Sequence, residues 1–209
     1  MTTPAATGNP LVQLLDLGQS VWYDHLRRSL IVSGELERLI TEDGLRGMTS
    51  NPSIFEKAIT GSTDYDEQLD ELRASGGGEA KEIFEQLALR DIEAAAAVFR
   101  HAYDETEGRD GFVSLEVSPT LAHDTEGTIA EAQRLWGKLD RENVMIKVPA
   151  TNAGIPAIRT LTAQGVNVNI TLLFSNSVYE QVVEAYLAGL EELAGTGGDV
   201  SRVASVASL

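Results

Sequence analysis

Phe112-Val113-Ser114-Leu115-Glu116-Val117-Ser118 and Val166-Asn167-Val168-Asn169-Ile170-Thr171-Leu172-Leu173-Phe174 alternate two kinds of side chain. In an extended strand successive side chains point to opposite faces. One face of the first segment therefore carries Val113, Leu115 and Val117, and the other Ser114, Glu116 and Ser118. In the second segment Val166, Val168, Ile170 and Leu172 share a face, opposite Asn167, Asn169, Thr171 and Leu173. Apolar faces of this kind pack on outer helices. The polar faces then point into a barrel near its C-terminal mouth, where barrel enzymes place their chemistry. A doubly wound sheet fits the βα rhythm as well, but the facing pattern favours a TIM barrel.

The rhythm extends outward from these segments. Further strands are expected at Gln19–Asp24, Leu45–Thr49, Asn143–Pro149 and Arg202–Ser208. Between strands, apolar residues recur every three or four positions: Ile92, Ala95, Phe99, Ala102; Ile129, Ala132, Trp136, Leu139; Val178, Val182, Ala185, Gly189, Leu193. Gly76–Gly78 and Gly195–Gly198 interrupt the connections. Asn51-Pro52 reads as a helix cap followed by proline at the first helical position. The expectation is one α/β domain over residues 1–209, an incomplete (β/α)8 barrel with about six of the eight strands. The sequence ends right after a strand-like run, so an N-terminal fragment of a longer protein is expected, with exposed strand edges that favour aggregation.

Composition narrows the function. Apolar residues make up 43% of 209, an ordinary globular share, and the formal net charge is −16. So acidic a chain is repelled by nucleic acid and by anionic membranes, although one local basic patch can still hold a small phosphate. There is no cysteine, hence no disulfide, thiolate metal site or cysteine nucleophile. Met1 to Pro10 lacks the basic and apolar regions of a signal peptide, and no apolar run is long enough to span a bilayer. A soluble cytoplasmic protein is expected, with a homo-oligomer left open. His25, His101 and His123 are scattered, so no metal site is expected, and no phosphate-cradling glycine-rich loop is present.

The candidate catalytic residues lie at strand ends. Lys147 sits within Val144-Met145-Ile146-Lys147-Val148-Pro149, an unusually apolar setting for an ammonium. Desolvation favours a neutral amine, and a neutral amine attacks a ketone to form an imine. The plainer alternative is a lysine whose head reaches water or a carboxylate. Glu116 and Thr171 share the inward pattern and suit proton shuttling through a water; taken singly, a salt bridge for Glu116 and a backbone hydrogen bond for Thr171 are the stronger readings. Asp24 ends the first strand and suits deprotonation of a substrate hydroxyl, or else caps the next helix; Asp16 is a weaker rival. Asn51 and Asn169 offer neutral hydrogen bonds to sugar hydroxyls.

Four blocks carry a family resemblance. Gly18-Gln19-Ser20-Val21-Trp22-Tyr23-Asp24 resembles the first-strand motif of bacterial transaldolases, and Met48-Thr49-Ser50-Asn51-Pro52-Ser53-Ile54-Phe55 their Thr-Ser-Asn-Pro-Ser signature. Val144-Met145-Ile146-Lys147-Val148-Pro149-Ala150-Thr151 is similar to the Schiff-base lysine strand, and Asn167 to Ser175 to the strand that follows. The resemblance implies a TIM barrel of the class I aldolase superfamily. It implies transfer of a dihydroxyacetone unit from sedoheptulose 7-phosphate to glyceraldehyde 3-phosphate, giving erythrose 4-phosphate and fructose 6-phosphate in the pentose phosphate pathway. By position it makes Lys147 the imine former and Asp24 the acid/base for cleavage, and gives Glu116 with Thr171 the catalytic water. Asn51 and Asn169 would hold substrate hydroxyls, with Ser208 near the substrate; sugar phosphates would be the partners, and no cofactor is implied. The family places phosphate-binding arginines after that serine, and this sequence stops one residue beyond it, so low activity of the chain alone is expected. A related class I sugar-phosphate aldolase and a non-catalytic barrel fragment remain as alternatives.

Overall fold

A computed structural model describes residues 8–208; the segment 1–7, read above for signal-peptide features, and Leu209 lie outside it. Among the described residues, nine α-helices and one 3-10 helix alternate with six strands. Strand neighbours follow chain order and pair in parallel. This is the singly wound α/β order of a TIM barrel, with six of its eight strands present, and not the reversed order of a doubly wound sheet. Contacts divide the chain into two compact units: residues up to Thr49 with Ser53–Phe112, and Ser50–Pro52 with residues from Val113 on.

In the first unit, β1 (Val21–Tyr23) pairs with β2 (Leu45–Thr49). Trp22 stands opposite Gly47, and its indole occupies the space where a Cβ at position 47 would be. Around the pair lie α1 (Pro10–Asp16), α2 (Arg28–Val32), α3 (Glu35–Glu42), α4 (Pro52–Thr60), α5 (Asp66–Ala74) and α6 (Ala80–Glu105). The α4 helix starts at Pro52, directly after Asn51, as the proline's fixed φ and missing N–H favour. The expected stripe on α6 is buried throughout: Ile92, Ala95, Phe99 and Ala102, with Leu87, Ala88, Ala96 and Tyr103 beside them. One charged residue, Asp91, is buried in that same face.

The second unit is a parallel sheet of β3 (Phe112–Glu116), β4 (Val144–Pro149), β5 (Val168–Thr171) and β6 (Ser205–Ala207). Its helices are the 3-10 turn Pro119–Leu121, α7 (Thr125–Leu139), α8 (Gly154–Ala163) and α9 (Asn176–Gly195). Asp124 caps α7 by accepting from the Gly127 amide, and Ser175 caps α9 by accepting from Val178. Val113, Leu115, Val144, Ile146, Val148, Val168 and Ile170 are all buried, as are Leu135, Leu139, Ile158 and Leu161 of the helices. At Gly189 a Cβ would collide with the Arg159 carbonyl and Thr162, so glycine lets α9 lie close on α8.

Four strands in particular are shorter than expected. The first begins at Val21 and stops at Tyr23, leaving Asp24 just beyond it. The third stops at Glu116, and the last covers only Ser205–Ala207. The fifth ends at Thr171 because Leu172 turns into the left-handed region, at φ 61°. The alternation expected through Phe174 breaks there: Leu172 is 50% exposed and Phe174 85%, while Leu173 is buried. On α7 the buried stripe is Thr128, Ala132, Leu135 and Leu139, rotated from the expected one, so Ile129 and Trp136 flank it.

Candidate active site

Parallel pairing sets the chemistry of the second unit in a row. Glu116 on β3 is the register partner of Lys147 on β4, and Lys147 that of Asn169 on β5. Because the strands alternate faces, Ser114 shares the face of Glu116, and Thr171 that of Asn169. The whole of β4 is buried, which makes an ammonium on it conspicuous.

Lys147 is 8% exposed. Its Nζ donates to the Ser50 carbonyl at 3.0 Å and lies 3.7 Å from Glu116 Oε2. The bland expectation, a lysine head reaching a carboxylate, thus describes the resting contact, and the catalytic reading needs that same carboxylate nearby. Asn169, 1% exposed, donates through Nδ2 to Ser114 Oγ at 3.0 Å, and its Oδ1 accepts from Ser208 Oγ at 2.8 Å. The Ser208 amide also donates to the Ile170 carbonyl at 2.8 Å, which fixes the residue beside β5. Ser50 Oγ donates to the Ser114 carbonyl at 3.0 Å. The side chains of Ser50, Ser114, Lys147 and Asn169 thus each have a partner, as buried polar groups in a low-dielectric site require. The Thr171 hydroxyl makes no hydrogen bond among the described residues, and its strained neighbour Leu172 follows immediately.

Glu116, Lys147, Asn169 and Ser208 are thereby brought together in one unit, with Thr171 one pleat beyond Asn169. Asn51 belongs to the same unit, next to the Ser50 carbonyl that holds Lys147. Asp24 belongs to the first unit, exposed at the end of β1. It does not cap the next helix, since α2 opens after Arg27. Two members of the site were not singled out from the sequence. Ser114 was visible in the alternation, two residues before Glu116; Ser50 acts through its backbone carbonyl, which leaves no side-chain signal.

An amine held between a carbonyl and a carboxylate, under a row of amide and hydroxyl groups, suits covalent capture of a polyhydroxylated carbonyl compound. Among the described residues no three His, Cys, Asp or Glu side chains are grouped for a metal ion, and no helix is long and apolar enough to cross a membrane. The sequence model of the family described as Transaldolase/Fructose-6-phosphate aldolase matches residues 21–209. The chain belongs to this family. It is 48% identical over 200 residues to a transaldolase of Trichodesmium erythraeum, covering 96% of this chain and 52% of the relative. A transaldolase of Saccharopolyspora erythraea is 50% identical over 202 residues, 97% of this chain and 54% of the relative. Transaldolase 1 of Streptomyces coelicolor is 48% identical over 208 residues, 100% of this chain and 54% of the relative. The chain thus spans about half the length of the curated relatives it matches.

Proposed function

We propose that this chain carries the imine-forming part of a cytoplasmic transaldolase of the pentose phosphate pathway, with Lys147 as the nucleophile. The Lys147 amine adds to the C2 ketone of sedoheptulose 7-phosphate. Glu116, through a water that Thr171 helps to hold, returns the proton that lets hydroxide leave as water. The protonated imine then draws electrons from the C3–C4 bond. Asp24 takes the C4 hydroxyl proton, the bond breaks, and erythrose 4-phosphate departs as an aldehyde. The remaining enamine attacks the carbonyl of glyceraldehyde 3-phosphate, Asp24 returns its proton, and hydrolysis of the new imine frees fructose 6-phosphate. Asn51, Asn169 and Ser208 hold sugar hydroxyls. The protonated imine is itself the electron sink, so the scheme calls for neither metal nor organic cofactor.

The observation that carries this reading is the buried Lys147 Nζ, 3.7 Å from Glu116 Oε2 and anchored on the Ser50 carbonyl. Borohydride reduction in the presence of fructose 6-phosphate tests it. The Lys147 peptide should gain the mass of the reduced adduct, and the Lys147→Ala chain should gain none. A folded chain that stays unlabelled refutes the reading and favours the non-catalytic fragment. A second reading is supported by the family description, which joins transaldolase to fructose-6-phosphate aldolase. Release of a free three-carbon ketone without an aldehyde acceptor would select it.

A further inference from the structure

A cavity of about 160 Å³ lies in the first unit, and its lining residues take no part in the imine scheme. Its walls come from the segment after β1 (His25, Arg27, Ser29), from α4 (Lys57, Ala58), and from the turn beyond it (Gly61, Ser62, Asp64). Two fixed cations and an imidazole therefore face one carboxylate, in a chain whose formal net charge is −16.

The cations of this cavity are not already spent on internal partners. Arg28, Arg38, Arg73, Arg90, Arg100, Arg134 and Arg159 all form ion pairs. Among the described residues the side chains of Arg27 and Lys57 form neither an ion pair nor a hydrogen bond, and Asp64, on the same wall, stays beyond ion-pair distance of both. The Ser62 hydroxyl donates to the Ala58 carbonyl and accepts from the Asp64 amide, so it is committed. The Ser29 hydroxyl makes no hydrogen bond among the described residues. Two unneutralised cations lining one small concavity with a spare hydroxyl raise the local potential and match the donors that a compact anion seeks. The volume suits a group the size of a phosphate rather than a whole nucleotide.

We propose that the Arg27–Lys57 cavity binds a phosphate group, with Ser29 as a neutral donor and His25 on its rim. The group is either inorganic phosphate or the phosphate end of a sugar phosphate. This inference is independent of the role given to Lys147. The test is isothermal titration of the full 209-residue chain, at low ionic strength, with inorganic phosphate and, separately, with fructose 6-phosphate. Arg27→Gln and Lys57→Gln are each expected to weaken binding about tenfold or more, the loss of one charge-assisted hydrogen bond. Lys57→Arg should retain it, and Lys81→Gln, an exposed charge outside the cavity, should leave it unchanged. Lys147→Ala should bind inorganic phosphate as the unmutated chain does, since that ligand has no carbonyl to form an imine, which separates this outcome from failure of the imine scheme. Mutual competition between the two ligands supports a site for the phosphate group itself. Binding of the ester alone, lost in both glutamine variants, supports the site and names the ester as its source. No binding of either ligand, or binding that both glutamine variants keep, overturns the proposal.

Discussion

Replacing Asp91 by alanine should be among the most damaging single changes in the first unit. Arg28 Nε donates to Asp91 Oδ1 at 2.7 Å, and the Tyr65 hydroxyl donates to Oδ2 at 2.8 Å. The Arg28 guanidinium lies 4.3 Å from the Tyr65 ring centroid, and its Nη2 donates to Gln68 Oε1 at 2.7 Å. The side chains of the pair are 13% and 2% exposed. Removing the carboxylate strands a largely desolvated cation and a buried phenol, and breaking such a pair from one side costs about 3–5 kcal/mol. Because Arg28 keeps Gln68, the lower end applies: about 3 kcal/mol, or roughly 6–12 °C in Tm for a chain of this size. Urea unfolding followed by circular dichroism and by tryptophan fluorescence measures it, with coincident transitions as the check on two-state behaviour. The double variant Arg28→Met with Asp91→Leu removes both charges, so it should cost far less than the two single changes summed. Burial pushes the Asp91 carboxyl above its ordinary value despite Arg28 and Tyr65. A raised folded pKa means a contribution fully present below the ordinary carboxylate range and lost as pH rises through the raised value. The stability of the unmutated chain relative to Asp91→Asn should fall across that window. A loss below about 1 kcal/mol for Asp91→Ala, or additive costs in the double variant, would refute this account.

Gly47→Ala drives a methyl into the Trp22 indole, and overpacking of this kind costs about 1–3 kcal/mol; an unchanged urea midpoint would contradict the β1–β2 register. Tyr65 and Tyr186 are held above the ordinary tyrosine range, first by burial, so ultraviolet titration should show them ionising late among the five tyrosines. Their stabilising contribution is present below the unfolded tyrosine pKa and lost as alkalinity rises through the raised values. Asn169→Leu leaves the Ser114 and Ser208 hydroxyls without their partner and should cost about 1–3 kcal/mol in the same unfolding assay. Glu116→Gln keeps the shape but removes the base, and should slow borohydride-trappable imine formation by about 10²–10⁴-fold; an unchanged trapping rate would remove Glu116 from the scheme.

Much of the fold was legible because burial writes a period into the chain. Leu45–Thr49 matched β2 at both ends, and the α6 stripe from Ile92 to Ala102 fell on the buried face. Alternation placed Glu116 and Asn169 on polar faces, but that they flank Lys147 in register comes from the strand pairing, which alternation does not fix. What escaped was of another kind. Nothing local announces that Leu172 adopts a left-handed conformation, since leucine disfavours it and only the surrounding structure imposes it. The Arg28–Tyr65–Gln68–Asp91 cluster draws on segments far apart in sequence, and an aspartate inside an alanine-rich helix gives no sign of its partner. The role of Ser50 rests on a backbone carbonyl, which every residue possesses.

Leu172 leaves a mark on how this sequence can change. An L-residue held left-handed forfeits about 1–2 kcal/mol that glycine would recover. Selection for heat resistance alone would therefore replace it. Yet the same kink is what halts β5 at Thr171, whose hydroxyl has no protein partner among the described residues to hold its aim. On the scheme proposed above, glycine there would loosen the turn that aims Thr171 while steadying the chain, so Leu172→Gly should raise the melting temperature and slow borohydride-trappable imine formation.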